Sequence, residues 1–120
     1  MPKLLIVDDE LDVREFARNF FQKRGIEVNV ASGGREALDL LLQERPDLIL
    51  LDVRMGEVSG IDVLYELRQR NNLSKVLMVS GLEEEKIVQD AMALGALGFI
   101  HKPLVLEELE KVIFHELGLG

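Results

Sequence analysis

The chain contains the stretches Leu4-Leu5-Ile6-Val7-Asp8-Asp9 and Leu48-Ile49-Leu50-Leu51-Asp52, two short apolar runs that each end in aspartate. Runs this short and this apolar are typical of strands that are buried on both faces of a parallel sheet. Like charges that are brought close repel and raise each other's pKa, so three carboxylates at the ends of two buried strands are costly. A bound cation would offset that repulsion. An acidic metal pocket is therefore the first hypothesis for this chain.

Strand-like runs alternate with helical patterns along the whole chain. The patterns predict strands over 3–7, 26–31, 48–51, 75–79 and 97–101, and helices over 11–24, 35–44, 61–70, 83–94 and 106–116. Glycines 25 and 95 stand where two of these helices should end. Helical spacing places Ala37, Leu38, Leu41 and Leu42 on one face of the second helix, and turns Leu106, Leu109, Val112 and Ile113 of the last helix inward. Five strand–helix units predict an α/β fold with a parallel sheet, helices on both faces, and one domain over 1–120.

Composition excludes several classes of function. The 120 residues include 22 acidic and 14 basic side chains, a net charge of −8, so direct binding to nucleic acid is not expected. The absence of cysteine excludes disulfides and thiolate metal sites. Because no apolar run approaches the roughly 20 residues that cross a bilayer, and the N-terminus does not read as a signal peptide, we expect a cytoplasmic protein without membrane contact.

The residues at the carboxyl ends of the predicted strands are the candidates for a functional site. In open parallel sheets, ligands bind beyond these strand ends. The polar side chains found there are Asp8, Asp9, Asp52, Ser80 and Lys102. An acid pair at a strand end is weak evidence, and Asp9 alone could instead cap the following helix. The whole set, in this order, is more specific.

This set resembles the receiver domain of two-component response regulators, the CheY-like superfamily. The resemblance covers essentially the whole chain and rests on Val7-Asp8-Asp9-Glu10, Leu51-Asp52-Val53-Arg54-Met55, Ser59-Gly60, Val79-Ser80-Gly81 and Lys102-Pro103. It implies a flavodoxin-like, doubly wound (βα)5 fold with strand order 2-1-3-4-5, for which the chemotaxis receiver is a standard example.

The resemblance also implies a role for each residue of the set. Asp52 matches the phosphoacceptor, which takes a phosphoryl group from a histidine kinase or phosphotransfer protein. Asp9 matches a direct Mg²⁺ ligand and Asp8 one that acts largely through water, with Asp52 and the backbone carbonyl of Arg54 completing the protein ligands. Lys102 matches the lysine that pairs with the acceptor and then with the phosphoryl group.

The remaining matches concern switching. Ser80 matches the hydroxyl that binds a phosphoryl oxygen, Phe99 the aromatic side chain that moves with it, and Pro103 the family's cis-proline. Phosphorylation is then expected to change the face built from the fourth helix, the fifth strand and the fifth helix. That face would control an output domain or partner protein, with a phosphorylation-dependent homodimer as one form. Such a chain acts on itself alone, so we do not class it as an enzyme.

Several further positions bear on the loop beside the acceptor, on the lifetime of the phosphoryl group and on docking. Gly56 stands where the family usually has proline, which suggests a freer loop before folding. Arg54 and Leu82 flank the pocket, and side chains of their size predict slow-to-moderate hydrolysis of the phosphoryl group. Phe16, at the edge of the first helix's apolar stripe, is either ordinary core or an exposed contact for a kinase. His101 is expected to be an exposed residue at a strand end.

Other functions fit the residues less well. A phosphatase of the haloacid dehalogenase class needs an acid two residues after its nucleophile, and that position holds Arg54. A flavin or nucleotide binder needs a loop rich in Gly, Ser or Thr after the first strand, where this chain has Asp8-Asp9-Glu10. The alternative that stays open is a receiver-like interaction module that is not phosphorylated.

Overall fold

The computed structural model describes residues 1–81 and 84–120. These residues form a five-stranded sheet with the order β2-β1-β3-β4-β5, in which all neighbouring strands are parallel. The strands are β1 Lys3–Val7, β2 Glu27–Ala31, β3 Leu48–Asp52, β4 Lys75–Ser80 and β5 Gly98–His101. The helices are α1 Leu11–Gln22, α2 Gly34–Leu40, α3 Gly60–Gln69, α4 Glu85–Ala93 and α5 Leu106–Glu116. The predicted fold class and strand order are confirmed.

Two apolar layers cover the sheet because successive side chains of a strand point to opposite faces. Leu4 and Ile6 of β1 pack with buried residues of α1 and α5, whereas Leu5 and Val7 pack with those of α2, α3 and α4. Both layers therefore need every central strand to be apolar throughout, which explains the continuous runs in the sequence. The carboxyl ends of all five strands meet at one edge of the sheet.

The helix ends differ from the predicted ones at several places. The helix predicted over 35–44 ends at Leu40 and continues as a turn, and Leu42, expected on its inner face, is 68% exposed. The helix predicted over 11–24 ends at Gln22, and Gly25 follows with φ +82°, a left-handed conformation that favours glycine. The fourth helix begins at Glu85, and residue 83 of its predicted range lies outside the described residues.

The exposure of Phe16 on α1 decides between its two interpretations. Phe16 is 65% exposed, so the interpretation of this residue as ordinary core is wrong. Phe21 is instead completely buried, together with Ala17. On α5, Leu109 and Ile113 are buried as expected, but Val112 is exposed.

The described residues contain no helix with the length and apolar character that a membrane crossing requires.

Candidate functional site

The strand ends bring the polar residues of the sequence motifs to one edge of the sheet. Asp8 directly follows β1, Asp52 is the last residue of β3, Ser80 is the last of β4, and Lys102 directly follows β5. β1 and β4 pair with the two sides of β3, so Asp52 stands at the centre of this edge. The order of the strands, rather than closeness in sequence, therefore assembles the site.

The acidic residues differ in exposure. Asp8 and Asp52 are only 3% and 4% exposed, whereas Asp9 and Glu10 are exposed. The backbone N–H of Glu10 donates a hydrogen bond to Asp8 Oδ1 (2.9 Å), and that of Arg54 donates to Asp52 Oδ1 (3.4 Å). Glu10, not Asp9, is the N-cap residue of α1, and no side chain caps that helix. The capping interpretation of Asp9 is therefore wrong.

Lys102 lies among three carboxylates. Its Nζ is 3.1 Å from Asp52 Oδ2, 3.2 Å from Asp8 Oδ2 and 3.2 Å from Glu10 Oε1. An ammonium group has three N–H donors, so these three acceptors can occupy all of them. The arrangement compensates two buried negative charges, which would be costly without a partner.

The electrostatics of the pair follow from this geometry. Burial raises the pKa of Asp52, the hydrogen bond from Lys102 opposes that effect, the nearby charge of Asp8 adds to it, and the pKa stays above its ordinary value. Burial alone would lower the pKa of Lys102, but the hydrogen bonds to Asp52 and Glu10 and the charge of Asp8 hold it above its ordinary value. Lys102 is therefore a firmly charged cation at neutral pH.

An open cavity of about 340 Å³ lies beside these groups, and we call it the acid cavity. It is lined by Asp9, Glu10, Asp52, Arg54, Gly81 and Lys102. Carboxylate oxygens of Asp8, Asp9 and Glu10 all lie within 4.8 Å of one another. An all-oxygen donor set that is partly open to water suits a hard cation such as Mg²⁺, which keeps several of its waters. The residues present therefore fit the metal that the sequence suggested.

Glu10 is the residue that sequence reasoning missed. It stands in the motif Val7-Asp8-Asp9-Glu10, but the motif assigns it no role. Its contact with Lys102 joins residues 92 positions apart in the chain, and only the fold brings them together.

Ser80 and Gly81, at the end of β4, are held by several polar contacts. Ser80 is buried, and its Oγ donates to the carbonyl of Gly81 (3.3 Å). The exposed His101 ring places Nδ1 3.0 Å from the same carbonyl, and the backbone N–H of Lys102 donates to the carbonyl of Ser80 (2.6 Å). His101 and Lys102, at the end of β5, thus fix the segment that carries the candidate switch hydroxyl.

Phe99 and Pro103 lie on either side of Lys102 in the chain. Phe99 is partly buried, pairs with Met78 in the β4–β5 register, and packs against the apolar layer under α2, α3 and α4. The Lys102–Pro103 peptide bond is cis.

The segment between β3 and α3 is shaped by close backbone contacts. Ser59 caps α3 by accepting a hydrogen bond from the N–H of Asp62, whose carboxylate accepts one from the N–H of Ser59. Gly60 lies so close to the end of β3 that a Cβ there would be 2.2 Å from the carbonyl oxygen of Asp52. Gly56 has φ +61°, which proline cannot adopt, so the departure from the family's usual residue matches the backbone.

A second, larger concavity adjoins the acid cavity. This α1 groove, of about 700 Å³, is lined by Glu10, Asp12, Val13, Phe16, Ala17, Lys102, Pro103, Leu104 and Leu106. Glu10 and Lys102 line both spaces, so the groove opens directly onto the candidate site. The exposed ring of Phe16 belongs to its wall.

The sheet order and the acid cavity at its carboxyl edge define a flavodoxin-like α/β protein. The profile of the response regulator receiver domain matches residues 4–114, and the chain belongs to that family.

Curated relatives agree with the family. The chain is 32% identical to the sporulation initiation phosphotransferase F of Bacillus subtilis, over 98% of this chain and 94% of that protein. It is 37% identical to the chemotaxis protein CheY of Listeria monocytogenes, over 92% of this chain and 98% of that protein. It is 35% identical to the regulatory protein AtoC of Escherichia coli, but spans only a quarter of the length of that protein (25%).

Solved structures share the fold over nearly the whole chain. The chemotaxis protein CheY4 of Vibrio cholerae superimposes with a TM-score of 0.90 at 32% identity, covering 98% of this chain and 99% of that one. The response regulator TrrA of Thermotoga maritima, solved in complex with Mg²⁺ and BeF, has a TM-score of 0.85 at 28% identity, covering 98% and 100%.

Proposed function

We propose that this chain is a single receiver domain over 1–120 that takes a phosphoryl group onto Asp52 and thereby changes the surface it offers to an output domain or partner. The donor is a histidine kinase or phosphotransfer protein, and the location is cytoplasmic. The observation that carries the proposal is the contact of 3.1 Å between Lys102 Nζ and the buried Asp52 Oδ2 beside an open acidic cavity. A nucleophile held by a fixed cation at a strand end is what phosphoryl transfer needs.

In the proposed reaction, a carboxylate oxygen of Asp52 attacks the phosphorus of a phosphohistidine. The new P–O bond makes an acyl phosphate, the P–N bond breaks, and its electron pair stays on the imidazole nitrogen of the donor. Lys102 stays paired with the acceptor and then neutralises charge on the phosphoryl oxygens. Asp52 is at once substrate and nucleophile, so the chain catalyses its own modification only.

Asp8, Asp9, Asp52 and the backbone carbonyl of Arg54 are the groups that would hold Mg²⁺. A bound Mg²⁺ would offset the repulsion among the carboxylates and the charge that develops on the phosphoryl oxygens. The fit of the donor set and the presence of Mg²⁺ and BeF on the relative from Thermotoga maritima support this assignment. Arg54, at the cavity wall, would impede an attacking water and give slow-to-moderate hydrolysis. Leu82, the second flanking residue of that prediction, lies outside the described residues.

Switching would follow from the new charge on Asp52. The Ser80 hydroxyl would exchange the Gly81 carbonyl for a phosphoryl oxygen, and Phe99 would repack with it. Two or three charge-assisted hydrogen bonds supply a few kcal/mol, which is enough to shift a population. Three exposed apolar residues belong to or adjoin α4, β5 and α5: Met92 of α4, Leu97 just before β5, and Val112 of α5. The face built from these elements would bind the output partner or a second copy.

The test is intact mass of the protein after incubation with Mg²⁺ and acetyl phosphate. We expect one phosphoryl group on the wild type, none on Asp52→Asn, and none when EDTA removes the metal. An unmodified wild type that still binds its partner would favour the interaction module that is not phosphorylated. Modification of Asp52→Asn would contradict the assignment of the acceptor.

The exposed ring of Phe16 predicts a donor contact in the α1 groove. Phe16→Ala should slow phosphotransfer from the cognate kinase, because an exposed aromatic side chain is a frequent anchor of protein interfaces. The melting temperature should hardly change, since the ring is 65% exposed. Phosphorylation by acetyl phosphate, which needs no docking, should stay as in the wild type.

Leu73→Ala is the matched control, because Leu73 is also an exposed apolar residue but precedes β4, at the opposite edge of the sheet. It should leave transfer from the kinase unchanged. Equal slowing by the two variants would show that Phe16 has no specific part in docking.

A further inference from the structure

Glu10 connects the acid cavity with the α1 groove, and the proposed mechanism gives it no part. Its backbone is fixed, since it is the N-cap residue of α1 and its N–H donates to Asp8 Oδ1 (2.9 Å). Its side chain is exposed, yet Oε1 lies 3.2 Å from Lys102 Nζ. Glu10 therefore extends from an anchored backbone to the one lysine on which the chemistry depends.

The contact has a consequence for Lys102. Three carboxylates share its ammonium group at 3.1–3.2 Å: Asp52, Asp8 and Glu10. Asp52 is the acceptor, and Asp8 would turn to the metal, so both have a place in the phosphorylated protein. Glu10 would continue to compete for an N–H donor that a phosphoryl oxygen needs.

Glu10 also adds negative charge where an anionic donor must enter. The three carboxylates around Lys102 carry three negative charges against one positive charge, before Asp9 is counted. Glu10 lines the acid cavity itself, whereas Glu107, in the first turn of α5, lines neither the cavity nor the groove. Because Glu10 is exposed, its repulsion of an incoming anionic donor is screened by salt.

We propose that Glu10 is a positioning residue that restrains Lys102 in the unphosphorylated protein and slows phosphorylation of Asp52 by small anionic donors. The inference rests on the proposed function of Asp52. Glu10 thereby favours transfer from a docked protein, which can cover the groove and its acidic rim, over transfer from free phosphodonors.

The test compares Glu10→Gln with the matched control Glu107→Gln, which removes one charge at an exposed position. With acetyl phosphate and Mg²⁺, Glu10→Gln should raise the phosphorylation rate constant about threefold or more, as expected for loss of one unit charge near the reacting group. Glu107→Gln should change it little. The advantage of Glu10→Gln should shrink in 1 M salt, where the screening length falls to about 3 Å. Equal rates for the two variants, or an advantage independent of salt, would overturn the proposal.

A second measurement does not need phosphorylation at all. The order parameter of the Lys102 ammonium group, from ¹⁵N relaxation, should fall in Glu10→Gln and stay unchanged in Glu107→Gln. An unchanged order parameter in Glu10→Gln would refute the restraint even if Asp52 is the acceptor. If the wild type takes no phosphoryl group but Glu10→Gln mobilises Lys102, the restraint stands and the proposed function fails.

Discussion

At the scale of single residues, the position of Asp52 depends on a glycine eight residues later. A Cβ at Gly60 would lie 2.2 Å from the carbonyl oxygen and 3.0 Å from the carbonyl carbon of Asp52. Because these are backbone atoms of a central strand, they cannot move aside cheaply. Gly60→Ala should therefore lower the free energy of unfolding by about 1–3 kcal/mol, as forced overpacking does. Urea denaturation measures the change.

Gly33→Ala is the control for this substitution. A Cβ at Gly33 meets nothing within 4 Å, and its φ of −172° is extended backbone that any residue adopts. Its effect should stay within about 0.5 kcal/mol, as for ordinary surface changes. If the two variants lose equal stability, the close approach of Gly60 to Asp52 does not constrain the strand end.

Asp52 itself should reduce the stability of the metal-free protein. Burial, opposed by the hydrogen bond from Lys102 and reinforced by Asp8, holds its pKa above the ordinary value of 3.8. The folded state thus binds this proton more tightly than the unfolded state, and stability is lost as pH rises from the ordinary value through the raised one. Over that interval, the free energy of unfolding of Asp52→Asn should rise relative to that of the wild type. At lower pH the difference between the two proteins should be smallest.

Denaturation in EDTA at a series of pH values measures this difference. A gap between Asp52→Asn and the wild type that is constant with pH would mean that the ionisation of Asp52 has no part in it. If the difference in free energy of unfolding instead grew as the pH fell, the pKa of Asp52 in the folded state would be lowered and not raised.

At the scale of elements, Arg68 joins the end of α4 to the end of α3. Its guanidinium donates to the carbonyls of Leu94 (2.7 Å), Gly95 (3.4 Å), Asn72 (2.9 Å) and Ser74 (3.1 Å). A positive charge at the carboxyl end of a helix is favourable, and here it fixes the end of α4 that lies far from the acid cavity. We therefore expect the switching proposed for Ser80, at the end of β4, to move the other end of α4.

Arg68→Met should lower the free energy of unfolding by about 1–3 kcal/mol, because the partly buried bonds to the carbonyls of Leu94, Asn72 and Ser74 lose a charged donor. Amide hydrogen exchange should rise at the carboxyl end of α4. Arg70→Met is the control: its ion pair with Glu66 is at the surface and contributes about 0–1 kcal/mol. Faster exchange along the whole of α4 in Arg70→Met would contradict a local anchor at Arg68.

Element boundaries also show where sequence periodicity stops being informative. The alternation of strands and helices was predicted because each apolar run must be covered on both faces. Whether Phe16 is buried was not, because it stands at the edge of the apolar stripe of α1. In the structure α1 packs against β2 with Ala17 and Phe21 buried, and Phe16 stays exposed. Leu42 is exposed because α2 ends at Leu40, before the chain turns towards Pro46.

At the scale of the whole molecule, much of the candidate site could be anticipated because parallel strands bring their carboxyl ends to one edge. Asp8, Asp52, Ser80 and Lys102 each stand at such an end. The contact between Glu10 and Lys102 could not be anticipated, and neither could the α1 groove. Both depend on how the segment after β5 packs on α1. No periodic pattern in the sequence records that packing.

The whole molecule carries a net charge of −8. Within the part of the chain that the structure describes, the buried acids Asp8 and Asp52 both lie within 3.2 Å of Lys102 Nζ, beside the acid cavity. A cation that binds only the folded state raises stability by mass action. With Mg²⁺ at 100 times its dissociation constant, the free energy of unfolding should rise by about 2.7 kcal/mol. Thermal or urea denaturation across a Mg²⁺ titration measures this gain, with NaCl at matched ionic strength to account for screening of the net charge.

Asp9→Asn separates specific binding from general screening, because it removes one exposed carboxylate of the acid cavity and one unit of charge. It should shift the Mg²⁺ titration to higher concentration. Asp39→Asn, an exposed acid on α2 away from the cavity, should leave the titration where the wild type has it. Both variants remove one negative charge. If Mg²⁺ stabilised both over the same concentration range, the stabilisation would be due to screening of the net charge. An unequal pair, with Asp9→Asn alone shifted, assigns it to the carboxyl edge of the sheet.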